Sequence, residues 1–182
     1  MKKTLIIIFL IMAIFQMVVL ATAIDVGLQN DGITNQSVGN TTLISKYNPA
    51  NATGKITSVE IWSVAGADAK GVEIAIFYLV SGTNFSTRST VSVGDLVAGL
   101  NTFVVDLDVE EGDYIGIYGT AGAIRVRNLT PTGANWWSIA GDYIPCSDVT
   151  FTLSPNTTWG LSLYGTGATV EAGNAIFFGM AF

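Results

Sequence analysis

Past the first two dozen residues, apolar positions recur every second residue and not every third or fourth. In "GVEIAIFYLV", Val72, Ile74 and Ile76 alternate with Glu73, Ala75 and Phe77, the period of a strand whose successive side chains point to opposite faces. "KITSVEIWSV" carries Ile56, Val59 and Ile61, which share an inward face only if that strand contains a slight irregularity. "NTFVVDLDV", "DYIGIYG", "AIRVRN", "DVTFTL", "TWGLSLYG" and "NAIFFGMAF" repeat the theme at intervals of about ten to fifteen residues. Turn signals separate them: "NDG", "SGTN", "EEGD", "PTGAN" and "SPNTT". The pattern predicts about ten short strands and no helix after the first 23 residues.

Short strands rich in β-branched and aromatic residues, with one apolar face each, bury themselves best as two antiparallel sheets packed face to face. Long connections that are not hairpins, such as 128 to 148, favour a jelly roll over a meander. The expected fold is therefore all-β: one jelly-roll β-sandwich domain over residues 35–182. The recurrence of "GDYI" at Gly112 and Gly141 reflects two turns with a common Gly-Asp start and marks no internal repeat.

Residues 1–23 read as an export signal: Lys2 and Lys3, an apolar run broken by Gln16, then Ala21-Thr22-Ala23 as a small-x-small cleavage site. A retained anchor is the alternative, because the run approaches the roughly 20 residues that span a bilayer. Cleavage would leave Ile24 as the mature start of an extracellular, cell-surface protein with no remaining membrane contact. Residues 24–34 then form a strand and linker. Ile24, Val26 and Leu28 alternate with Asp25, Gly27 and Gln29, ahead of the Gly- and Asn-containing "DGITNQSVGN". Such a segment either completes its own sheet or lies in a groove of the next subunit. Head-to-tail addition of the second kind does not close, so it makes a filament. The apolar "NAIFFGMAF" at the other end offers a final strand whose edge would be the acceptor.

The formal net charge is −6, and with the signal removed six basic residues face fourteen acidic ones, near −8. That sign repels nucleic acid and anionic headgroups. With no histidine and one cysteine, the chain lacks the Ser-His and Cys-His nucleophile pairs and the usual transition-metal ligand sets. Neither an enzyme nor a cofactor or metal is expected. Cys146 has no intrachain partner, leaving a buried thiol or an intermolecular bridge. Asp106, Asp108, Glu110, Glu111 and Asp113 in "DLDVEEGDY" offer oxygens for a hard cation or for a glycosidase carboxylate pair. Asp106, Asp108 and Glu110 nevertheless alternate with Leu107 and Val109 as the solvent face of a strand does, and that reading is preferred.

Six Asn-x-Ser/Thr triplets start at Asn35, Asn40, Asn51, Asn84, Asn128 and Asn156, three of them within residues 35–53. Only 12% of residues are charged, so covalent N-glycans at these positions would supply a solvated surface that ionic side chains do not. A short Lys-Lys signal joined to many such triplets points to an archaeal source. Trp62 and Trp159 lie in apolar strands and are assigned to the core. Trp136 and Trp137 are adjacent and must point to opposite faces of a strand. One of them is expected to be exposed, either as a sugar-stacking platform or as a rim residue against the sandwich end or a neighbouring subunit.

The signal, the short alternating first strand, the jelly roll without catalytic residues and the many triplets together resemble the subunits of archaeal extracellular threads and bundling pili. The resemblance covers the mature chain and rests on its organisation. It implies a homopolymer assembled by N-terminal strand donation, with Ile24, Val26 and Leu28 docked into the neighbouring subunit. The alternative is a secreted or surface carbohydrate-binding module that uses Trp136 or Trp137.

Overall fold

The computed structural model describes residues 21–29, 34–128, 135–154 and 158–169. Residues 1–20 of the expected export signal, the link 30–33, Asn156 and "NAIFFGMAF" lie outside these residues, whereas Ala23, the last residue of that signal, is the first residue of the opening strand. The described strands pair antiparallel throughout and form a β-sandwich-like body, with no helix among the described residues.

One sheet runs β1 (Ala23–Gly27), β14 (Leu163–Ala168), β4 (Gly54–Ser63), β9 (Ala123–Asn128), β13 (Trp159–Leu161), with β7 (Gly99–Val109) also beside β4 and β2 (Thr34–Ser37) beside β9. The other runs β11 (Val149–Thr150), β6 (Asn84–Gly94), β5 (Val72–Ser81), β8 (Tyr114–Tyr118), β3 (Thr41–Ser45), β10 (Trp136–Ala140), β12 (Thr152–Leu153).

The irregularity read in "KITSVEIWSV" is a register shift of β4 against β7 between Ile56 and Ser58. Against β14 on its other side, β4 carries one extra residue at the same place, with Ile56 and Ser58 pairing to the adjacent Gly167 and Thr166, so Ile56, Val59 and Ile61 all face inward and are fully buried. They meet Ile74, Ile76 and Ile115 from the opposite sheet in the main core. Each such side chain contributes roughly 1.5–3 kcal/mol through removal from water.

The second sheet has a second apolar layer on its other face. Ala75 and Phe77 point away from the main core yet are as completely buried as Ile74 and Ile76. The cover is the segment 141–153. It leaves β10 with Thr42 Oγ1 donating to Gly141 O, reaches β6 where Thr87 N donates to Cys146 O and Val149 pairs with Phe85, and returns to β10 as β12. Beneath it, Phe151 meets Phe77 and Phe85 edge-on at centroid distances of 6.0 and 5.7 Å. Trp137 lies 4.8 Å from Phe85. A sheet buried on both faces reads as a nearly continuous apolar run, and β5 does. Gly116 of β8 sits under this layer: a Cβ there would lie 2.5 Å from the Phe77 ring and 2.7 Å from Leu43 O.

Candidate functional site at the N-terminal strand

β1 is an edge strand. Its inner edge pairs with β14 over five positions, Ala23↔Ala168 through Gly27↔Tyr164. Its apolar side chains enter the main core, with Ile24, Val26 and Leu28 at 1, 0 and 8% exposure. The slot they fill has a glycine floor. A Cβ on Gly165 would meet Val26 Cγ1 and Ile56 Cγ2 at 3.0 Å, and one on Gly54 would meet Ile24 Cδ1 at 2.7 Å. Gly27 has φ +82 and approaches β14 so closely that a Cβ would come within 2.2 Å of Leu163 O, so only glycine serves there.

The outer edge of β1 is closed by the turn 48–51. Gly27 N donates to Asn48 O at 2.8 Å. Asn51 reaches across with both ends of its carboxamide: Asp25 N donates to Oδ1 at 3.1 Å, and Nδ2 donates to Ala23 O at 3.4 Å. Asn48 Nδ2 adds a bond to Asp25 Oδ2 at 2.9 Å. Sequence reasoning assigned Asn51 only to a triplet and gave Asn48 no role. The available signal was the "NPAN" turn of two amide side chains around a proline.

These positions alter the expectation for Ile24, Val26 and Leu28. In the single chain all three dock into the chain's own core, where β14 pairs with β1 at the mouth of the glycine-floored slot. The strand that receives β1 is β14; "NAIFFGMAF" lies outside the described residues.

The tryptophans also stand differently. Trp136 and Trp137 do point to opposite faces, but each is only 6% exposed. Trp136 joins the main core and Trp137 the aromatic layer beneath 141–153, with Lys46 Nζ 5.6 Å from its ring centroid. The expected exposed sugar-stacking ring is therefore absent at both positions, because the outer face of this sheet is covered. Trp159 packs against the main core while half-buried. Trp62, assigned to the core from sequence, is half-buried and stands opposite Leu100 of β7.

Of the described triplets, Asn35, Asn40, Asn51 and Asn128 are exposed. Asn84 is half-buried, with Nδ2 donating to Asp148 Oδ1 and Oδ1 accepting from Thr150 Oγ1. The hydroxyl-bearing partners Thr42 and Ser86 are buried, and Ser86 Oγ accepts from Asp148 N.

The acidic run divides. Asp106 and Asp108 face solvent around Lys55, whose Nζ lies 2.9 and 2.8 Å from them, while Leu107 and Val109 are buried as the alternation required. Hydrogen bonds to Asp108 and Asp106 push the Lys55 ammonium above its ordinary value. Asp113 is buried and takes a two-point contact from Arg88, Nε to Oδ2 at 2.5 Å and Nη2 to Oδ1 at 3.2 Å. Arg88 Nη1 also donates to Glu110 Oε1 at 2.7 Å, tying β6 to the turn after β7. The bond to Asp113 raises the Arg88 pKa further. An open depression of about 450 Å³ lies beside this clasp, lined by Thr53, Gly54, Arg88, Asp108, Val109 and Glu110. Among the described residues, no group of three or more His, Cys, Asp or Glu could hold a metal ion. Cys146 is half-buried, its Sγ donating to Phe85 O at 3.6 Å, and burial pushes its thiol up.

No protein-family model and no curated protein matches the chain. The functional reading therefore stands on the geometry of β1, its slot and the surface asparagines.

Proposed function

We propose that this chain is a secreted, N-glycosylated structural subunit that assembles into a cell-surface filament by exchanging β1 between copies, without catalysis or a cofactor. The observation that carries the reading is the seat of β1. It is the first of the described strands, lies at a sheet edge, and inserts three side chains into a slot lined by the rest of the fold. Moving an identical strand into an identical slot of the next copy preserves every contact, which is why exchange of a terminal element is a low-cost route to association. Docking of Ile24, Val26 and Leu28 contributes about 5–9 kcal/mol in either arrangement. Six residues, Leu28 to Ile33, separate β1 from β2 and reach about 20 Å when extended. Asymmetric head-to-tail exchange propagates without closing.

Strand order supports the jelly-roll reading of the body. Four strands of one sheet lie in the order β1-β14-β4-β7 and four of the other in the order β6-β5-β8-β3. From β3 to β8 the chain alternates between the sheets except at the β5–β6 hairpin, the path of a roll of two Greek keys. β2 and β9 to β13 are then additions to that frame. Covalent glycans at the exposed asparagines complete the surface of a protein with few charges.

A cross-link tests the exchange. Asp25 and Thr166 are register partners on β1 and β14. In a Cys146→Ser background, the pair Asp25→Cys and Thr166→Cys is expected to lock β1 to its own sheet when oxidised. Electron micrographs should then show isolated particles, with filaments returning on reduction. Filaments from the oxidised protein equal to those of the reduced protein would overturn the proposal.

A further inference from the structure

The two sides of the first sheet are finished differently. The free edge of β1 is closed by Asn48 and Asn51, and in the second sheet β6 is met at its Asn84 end by Cys146 O and Val149. β7 takes its backbone hydrogen bonds from β4 and, among the described residues, from no other strand. Its side chains alternate along the whole strand: Asn101, Val105, Leu107 and Val109 are buried, whereas Leu100, Thr102, Val104, Asp106 and Asp108 are exposed. A lone exposed valine is ordinary. Val104, however, is 94% exposed at the midpoint of an open ladder.

An unpaired strand edge is a template for another strand. The strand that fits is the same one from a second copy. Two β7 strands can pair antiparallel about a twofold axis, each offering the same patch. Side chains keep to their faces only when exposed residues stand opposite exposed ones. Full overlap of Gly99–Val109 sets Val104 on the axis, opposite its own copy. Leu100 then stands opposite Asp108 and Thr102 opposite Asp106. On the inner face Phe103, half-buried in the single chain, meets Val105, an aromatic and β-branched pair of the kind that stabilises sheets.

Charge selects this register. Lys55 binds Asp106 and Asp108 from the β4 side, its Nζ at 2.9 and 2.8 Å, and in full overlap no carboxylate of one strand faces a carboxylate of the other. Moving the axis to Asp106 or Leu107 would set Asp106 against Asp106 or against Asp108, and like charges directly opposite destabilise a sheet. Moving it toward Gly99 only shortens the ladder. We infer that β7 is the pairing surface for a second copy of this chain, joined antiparallel and centred on Val104. The exchange of β1 uses the opposite edge of the sheet, so the pair does not rest on it.

The test uses the full chain in a Cys146→Ser background. In full overlap the two Val104 positions lie about 5 Å apart between Cα atoms. Two Thr102 positions are four residues out of register, about 13 Å along the ladder. A bismaleimide too short for the second distance is applied to Val104→Cys and to Thr102→Cys, both exposed sites whose replacement spares the core. Denaturing gels are expected to show at least about tenfold more linked dimer for Val104→Cys, because pairing holds those thiols at a high effective concentration. A mixture of Thr102→Cys and Asp106→Cys copies should link as Val104→Cys does. Adding Val104→Lys to both should cut that yield about fivefold, by setting ammonium against ammonium on the axis. Equal yields from Val104→Cys and Thr102→Cys mean random encounter and overturn the inference. So does a Val104→Cys chain that links only after residues 174–182 are deleted, the result expected where the chain's own carboxyl-terminal segment fills the edge. Micrographs of the same samples read filaments separately: a chain that links without forming filaments sinks the exchange reading and leaves the β7 pair standing.

Discussion

Gly116 shows how little room single positions leave. It lies between Phe77 and the backbone of β3, and a methyl group there meets the Phe77 ring and Leu43 O below 3.0 Å. Gly116→Ala is expected to lower stability by about 1–3 kcal/mol, the usual cost of overpacking, read as a shifted urea midpoint at unchanged slope. Glu73, on the same face of β5, reports through pH. Burial first and the charge of Asp142 second raise its carboxyl above the ordinary 4.5. The folded chain thus binds this proton more tightly than the unfolded chain does. Stability contributed here is full below pH 4.5 and lost as pH rises through the raised folded value. Glu73→Gln should remove that loss, raising Tm at neutral pH relative to wild type and closing the gap in acid. The facing of side chains was legible at this scale: the adjacent Trp136 and Trp137 had to diverge, and they do. Their exposure was not legible, since parity says which face a ring takes and nothing of what covers that face.

Among the elements, β4 and the 141–153 segment mark the two ends of what a pattern conveys. The parity break between Ile56 and Val59 required a bulge, and the bulge is where it was needed. The covering segment was legible only in its second half, where "DVTFTL" becomes β11 and β12 on either side of Phe151; residues 141–147 have no period, and Ile144 is an anchor in a loop. Only its landing points on Thr42, Thr87 and Phe85 reveal it as a layer. Phe151→Ala is expected to cost about 3–5 kcal/mol. It should speed hydrogen exchange over 141–153 and shift Trp137 fluorescence to the red, while the main core exchanges as before. β1 was legible as a strand with Ile24, Val26 and Leu28 on one face. Its pairing partner was not, since β14 lies well over a hundred residues away and its glycines carry no apolar signal.

For the molecule as a whole, the sequence conveyed an all-β body of antiparallel sheets because so many strands shared one period. It did not convey the asymmetry between the two sheets. One is covered on its outer face by 141–153, whereas the other carries Val104 at 94% exposure and Leu100 at 45%. These two sit on β7, a strand with β4 on one side and, among the described residues, no strand on the other. The acidic residues of β7 flank this edge: Asp106 and Asp108 place charge beside it, the kind of protection that keeps open edges from pairing indiscriminately.

The antiparallel run of β1 along β14 also governs how the protein bears load. In a thread the load would enter β1 through the 28–33 link and act along the ladder, so the five pairs from Ala23↔Ala168 to Gly27↔Tyr164 are stressed together and not one after another. A thread joined through such a strand would resist tension as a lap joint does. Single-molecule stretching should show one abrupt rupture of this joint, at a force well above that needed when the same strand is pulled across the ladder and its pairs open one at a time.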